Sequence, residues 1–416
     1  MEEKWFTDYP PSERYPHYTR ANAGEVLPTP ASPFGQSYGW DNAIGHGFQE
    51  ASIVMGAYEA DDYRDGKPEM VTFFGGYLYI NMSCVRMQAV RNPAITVEQL
   101  DLAFFGDRPD TPPYEPHPLD EKPHLQAKID EHMQFVLTTA EWPELDEEKK
   151  RAEEIRRGRP DLQSLSDNEI VARIRELHPV IREFTTNQMV TATSSGIPPG
   201  MLAAVGEVIG DPTIPMRVLA GLGDVDSAAP SFALWEISRL VREDKELTAL
   251  FDAGVEGLAD RLAALDTSAG QVFNESFADF IFNYGSRGPN EWELSAETWE
   301  TDTSIPLKTI DQVRKHEDDK SPSNGADKSR RERETVVAHV RERLEELGDQ
   351  ELIGVFEGAL VGGNQMVFRE RAKTSLVRVL HESRMAIREL GRRHHEHGSI
   401  SSLEQIFMLL DEELEP

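Results

Sequence analysis

Strict alternation of apolar and polar positions is confined to one stretch. Between Met70 and Cys84, Val71–Phe74 and Tyr77–Met82 read as two strands, with Leu78, Ile80 and Met82 on one face. Gly75-Gly76 between them suits a two-residue hairpin turn. Elsewhere the period is helical. Ile170, Ile174, Leu177, Ile181 and Phe184 form a stripe behind Ser166-Asp-Asn-Glu169, a capping box, and Pro179 is expected to kink that helix. Helices are also predicted over 48–58, after Asp226 through Phe232, Trp235 and Leu240, and over 247–265, 270–283, 334–347 and 366–391, with a short last one capped at Ser401. The pattern predicts an α+β protein that is mainly helical, with a small hairpin-containing N-terminal region.

Breaks in the pattern divide the chain. Residues 1–50 are rich in Pro, Gly, Tyr and Trp and read as an extended loop or short strands wrapping a core. Six prolines make 108–123 an irregular connection, and Ser194–Gly200 interrupts the helices. The strongest break, 316–333, is charged, almost free of apolar residues, and contains Ser-Pro-Ser-Asn-Gly. The resulting division is a loop-rich and hairpin region (1–125), a helical region (126–315), a mobile linker (316–333) and C-terminal helices (334–416).

Composition narrows the class. The 416 residues are 39% hydrophobic and 28% charged, enough for a sizeable core in a soluble globular protein. The single cysteine, Cys84, excludes an intramolecular disulfide and fits a reducing cytoplasm; without a basic neighbour it reads as a small buried residue. Met1–Phe6 lacks the features of a signal peptide, and no apolar run reaches membrane-spanning length. A net charge of −31 argues against an extended nucleic-acid surface.

Candidate chemistry concentrates in Asn283–Trp299, where Gly285, Gly288 and Pro289 surround Arg287 and Glu291. A guanidinium in such a turn suits phosphate oxygens, because its planar fork donates two parallel bonds. The same residues could instead pair and hold the turn. Near the N-terminus, Arg20, Asn22 and Glu25 could face a ligand, and Pro28, Pro30, Pro33 and Phe34 could form an apolar wall. His46, between two glycines, is either a ligand-facing base or a capping residue. Met366–Gly398 carries eight Arg or Lys against four Glu, with Arg369 and Lys373 on one helical face. It reads as a cationic face for a phosphate, or as a helix paired with acidic neighbours. Asp224-x-Asp226 lacks a third metal ligand in view and reads as a cap, and His394, His395 and His397 read as helix-end residues; no metal site is assigned.

Three segments carry a family resemblance. Gly285-Ser-Arg-Gly-Pro-Asn-Glu291, Thr19-Arg-Ala-Asn-Ala-Gly-Glu25 with Pro28-Thr-Pro30, and Arg369-Glu-Arg-Ala-Lys373 with Gln405–Leu414 resemble the substrate domain of rifampin phosphotransferases and related phosphoenolpyruvate-synthase-like dikinases. The Gly76–Asn81 strand is similar too. Ser286 stands where that family often has His, and Thr298 where it often has Arg.

The resemblance implies transfer of a phosphoryl group from ATP, through phosphohistidine on a partner, to an organic hydroxyl held by this chain. It implies Arg287 as the cation facing the phosphoryl group, with Arg369 or Lys373 second. Glu291 would be the base, with His46 in reserve, and Pro28, Phe34, Met201 and Met366 the apolar cage. The acceptor would be phenol- or cresol-like, drug-like, or pyruvate. No nucleotide-cradling loop and no phosphohistidine motif is visible, so ATP and Mg are expected on an ATP-grasp subunit and the phosphohistidine on another. The start of the chain and its acidic tail, Asp411–Pro416, favour an enzyme split over several polypeptides. The rival reading is a non-catalytic small-molecule binding protein that has lost these partners.

Overall fold

A computed structural model describes residues 8–64, 66–93, 95–223 and 225–414. Met1–Phe6, Asp224 and the last two residues of the acidic tail therefore lie outside the described residues. The fold is mainly helical with one small antiparallel sheet, ordered β1-β3-β2 from β1 (Tyr18–Thr19), β2 (Val71–Phe74) and β3 (Tyr77–Asn81). The hairpin forms as its pattern predicts: Phe74 faces Tyr77 across Gly75 and Gly76, whose φ values are +58° and +77°. Asn81 ends β3 and caps the next helix, Met82–Arg91, by accepting the Cys84 N–H.

The long helix Asn364–Glu396 is the axis of the molecule. It packs against Pro143–Arg157, Asp167–Glu176 and His178–Ser194. Its Leu376, Val379, Leu380 and Ile387 join Ile170, Ile174, Ile181, Phe184, Phe34 and Leu78 in the largest apolar core. Each such side chain, fully buried, contributes roughly 1.5–3 kcal/mol. A second core joins Ala229–Glu243, Ser268–Tyr284 and Ser304–Val313 through Leu234, Ile237, Phe273, Phe280, Leu307 and Ile310. A third joins Ile197–Ile209, Pro322–Leu347 and Gln350–Gly362.

Several elements depart from the sequence reading. Residues 35–54, expected as loop until Phe48, are helical throughout, with a π-type segment Gly35–Ile44 running into Gly45–Val54. Burial overrides the low helix propensity of glycine there: a Cβ on Gly47 would lie 2.6 Å from Thr185, so only glycine permits that approach. Gly56, at φ +84°, ends the run before Tyr58. Pro179 begins a new helix instead of kinking the old one. The predicted helix 247–265 is split into Lys245–Asp252 and Leu258–Ala263 by Gly254 and Gly257, both at positive φ.

The expected linker at 316–333 is a 3-10 turn, Asp318–Lys320, followed by the opening turns of Pro322–Leu347. Ser321 caps the helix, Pro322 starts it, and Asp327 pairs with Arg330 at 2.8 Å. Here the charges mark a solvated helix face, with apolar anchoring only from Val336 onward.

Candidate functional site

Helix Ser268–Tyr284 carries a ladder of rings, Phe273, Phe277, Phe280 and Tyr284, with Trp299 stacked on Phe280 at 5.6 Å. The helix stops at Gly285, and the chain folds back on itself. The Trp299 N–H donates to the Arg287 carbonyl at 2.8 Å and the Glu300 N–H to the Gly285 carbonyl at 3.0 Å. A Cβ on Gly288 would lie 2.6 Å from the Glu297 carbonyl oxygen, so the closed turn admits only glycine at that position. Behind it lies Arg384, fully buried, whose guanidinium donates to the carbonyls of Glu291, Glu293 and Leu294 at 2.8–3.1 Å.

The turn thereby presents Arg287 and Glu291 to a cleft of about 660 Å³. Glu25 and Val26 come from the short helix Ala23–Val26, and Ser231 and Leu234 from helix Ala229–Glu243. Arg369 and Lys373 come from the long helix, and Trp292, Trp299 and Pro289 from the turn itself. Glu291 is nearly buried and held at both oxygens: Arg287 Nε lies 2.9 Å from Oε2, and Lys373 Nζ 2.9 Å from Oε1. Arg369 is about half exposed and, among the described residues, pairs only with its neighbour Glu370, at 3.9 Å.

Of the catalytic and acceptor-binding candidates named from the sequence, Glu25, Arg287, Glu291, Arg369 and Lys373 meet in this cleft; the other candidates lie outside its lining. Arg20 sits 4.3 Å over the Tyr77 ring and donates to the Leu27 carbonyl, fastening its own turn. Asn22, at φ +61°, and Pro28 are exposed. Phe34 corrects the expected acceptor wall: it is fully buried, stacked on Tyr38 at 5.0 Å. His46 is half-buried; burial and the nearby Arg182 lower its pKa. Met201 packs on the third core, and Met366 lies one turn before Arg369. The apolar walls are instead Trp292, Trp299 and Leu234, and both tryptophans stand inside the motif stretch.

Most cations of the long helix pair with acidic neighbours or carbonyls. Arg371 meets Asp146 and Asp226, Arg378 donates to the Asn283 carbonyl, and Arg388 meets Glu297. Asp226 also pairs with Lys149. Cys84 is buried, which pushes its thiol pKa far up.

Sequence reasoning missed a buried charge network beneath the turn. Arg156 and Arg159 both reach Glu300 and Glu382, with contacts from 2.6 to 3.3 Å, and His381 Nε2 lies 2.7 Å from Glu300. Burial raises the Glu300 pKa, but hydrogen bonds from His381 and Arg159 outweigh it and hold the carboxyl well below the usual range. Arg384 Nη1 lies 3.2 Å from His381 Nδ1. A guanidinium only donates, so Nδ1 accepts and Nε2–H donates to Glu300. His381 is therefore neutral, its pKa pushed down to about 3 chiefly by burial. The unfolded chain binds a proton at this residue below about pH 6.5 and the fold does not, so stability is lost as the pH is lowered through that window, by roughly 3 kcal/mol at pH 4. Urea midpoints followed from pH 7 to 4 should show this loss, and His381→Gln should remove part of the slope.

Residues 185–360 match the rifampicin phosphotransferase fourth domain. This rifampicin phosphotransferase-like region links the chain to a phosphotransferase family. It contains Arg287, Glu291, both cleft tryptophans and Leu234, whereas Glu25, Arg369 and Lys373 lie outside the matched residues. No curated protein matches the chain. Among the described residues, no helix is long and apolar enough to cross a membrane.

Proposed function

We propose that this chain is the acceptor-binding subunit of a multi-subunit, dikinase-type phosphotransferase. The observation that carries the reading is the cleft in which Arg287, Arg369 and Lys373 converge beside Glu291, under walls of Trp292, Trp299 and Leu234. Cations suit a transferring phosphoryl group, and aromatic walls suit a phenol- or drug-like acceptor. In the proposed step, the P–N bond of a partner's phosphohistidine breaks and a P–O bond forms to the acceptor oxygen. The hydroxyl proton passes to Glu291, which must first release one of its two cations. ATP and Mg belong to an ATP-grasp subunit, and the phosphohistidine to a further partner, in the cytoplasm. Mixing the chain with such partners, labelled ATP and phenols should give labelled aryl phosphate; no transfer to any hydroxyl acceptor would overturn the reading. Alone, the chain should neither bind nor hydrolyse ATP, and calorimetry showing tight ATP binding would contradict this division of labour.

The second reading is a binding protein without transfer chemistry. It is favoured by Ser286, buried at 2% exposure where the resembling family often has His, and by the occupied oxygens of Glu291. Normal acceptor binding without transfer in the full mixture would support it.

A further inference from the structure

Structural arginines in this protein are held by several partners each: Arg384 by three carbonyls and a histidine, Arg156 and Arg159 by two carboxylates. Arg287 and Lys373 differ. Among the described residues, their only side-chain partner is Glu291, which they share, one cation to each oxygen at 2.9 Å. Both retain exposure to the cleft, 16% and 25%, while the carboxylate between them keeps 7%. A carboxylate placed midway between two cations occupies the position that an anion from the cleft would take.

We propose that Glu291 is an exchangeable internal counter-ion: a phosphoryl group entering the cleft takes Arg287 and Lys373 from it and frees its carboxylate to turn toward the acceptor. This rests on reading the cleft as a phosphoryl-acceptor site. A phosphoryl group has three acceptor oxygens and a charge of about −1.5 to −2 near neutral pH, against one charge and two oxygens for Glu291. It can therefore engage both cations and still reach Arg369 at the rim. The exchange ties two events together. Before the phosphoryl group arrives, both oxygens of Glu291 are occupied and it cannot take a proton from the acceptor. After arrival, the cations stabilise the transferring group and the carboxylate is free.

The exchange predicts a gain of function in binding. Calorimetric titration of the isolated chain with inorganic phosphate, at fixed low ionic strength, should give about tenfold or greater tightening in Glu291→Gln, equivalent to about 1.4 kcal/mol. The gain should disappear when Lys373→Met is added. Phosphoramidate, with a donor-like P–N bond, and phenyl phosphate, a product-like ester, form two further arms. A larger gain for the first assigns the exchange to the arriving donor, and for the second to the departing product; either supports it. Unchanged phosphate affinity in Glu291→Gln overturns the proposal, as does a gain that survives removal of both cations. Should Glu291→Gln not fold, Glu291→Asp takes its place, being one methylene too short to reach both cations, and unchanged affinity there counts equally against the proposal. Because neither partner nor acceptor is present, the outcome is independent of whether transfer occurs. Tightened phosphate binding in a chain that never supports transfer would defeat the phosphotransferase reading and leave the counter-ion exchange standing.

Discussion

Arg287→Lys is expected to slow phosphoryl transfer by about one to three powers of ten, the scale for losing one preorganised donor. Lysine keeps the charge but loses the planar fork. The affinity for the unphosphorylated acceptor, measured without the donor, should hardly change, because the lost contact belongs to the transferring group. Glu291→Gln should slow transfer to a similar degree while sparing acceptor binding, since an amide cannot take the hydroxyl proton. These outcomes separate a working site from a structural pair. The backbone of the turn is closed by its own hydrogen bonds and by Arg384, independently of the Arg287–Glu291 contact. A pair that merely holds the turn would instead lose melting temperature and acceptor affinity together, with normal turnover per folded molecule. That result would remove both residues from the site.

Arg384→Met should cost at least about 1–3 kcal/mol of stability, the range for leaving one buried acceptor without its donor, and several acceptors are left here. The substitution leaves the carbonyls of Glu291, Glu293 and Leu294, and Nδ1 of His381, without their donor in the interior. Acceptor affinity should fall as well, because the turn carrying Arg287 loosens. Arg392→Met provides the contrast on the same helix. Arg392 itself is partly exposed, and Glu389 keeps Arg393 as a partner when Arg392 is removed, so urea denaturation should register a much smaller loss. Equal losses in the two variants would show that Arg384 does not hold the turn.

The sequence revealed those features whose cause is local. The 71–81 hairpin announces itself through alternation and a Gly-Gly turn, and the Ser166–Glu169 box closes as expected, with the Ser166 hydroxyl oxygen accepting the Glu169 N–H. Features that depend on distant partners were not legible. Residues 35–47 look like loop because their glycines are selected by close contact with residues far along the chain. Residues 322–333 look like a linker because a solvated helix needs no apolar stripe. Phe34 and the prolines beside it offered an apolar wall, but nothing local shows that Phe34 turns inward. Glu300 and His381 stand 81 positions apart, and no spacing rule joins them. The motif turn was legible as chemistry, whereas its role in holding one carboxylate between two cations depended on Lys373, from another segment.

The two largest apolar cores have no buried side chain in common, and the motif turn runs from one to the other. Phe280 and Trp299 belong with the second, Leu294 and Trp292 with the first. The cleft lies along that seam, with Leu234 contributed from one side and Lys373 by the helix that runs through the other. Under the proposed function, the width available to an acceptor would follow from how the side chains of two separate interiors meet, so a substitution at Leu234 or Trp292 would change the cleft and the packing behind it together.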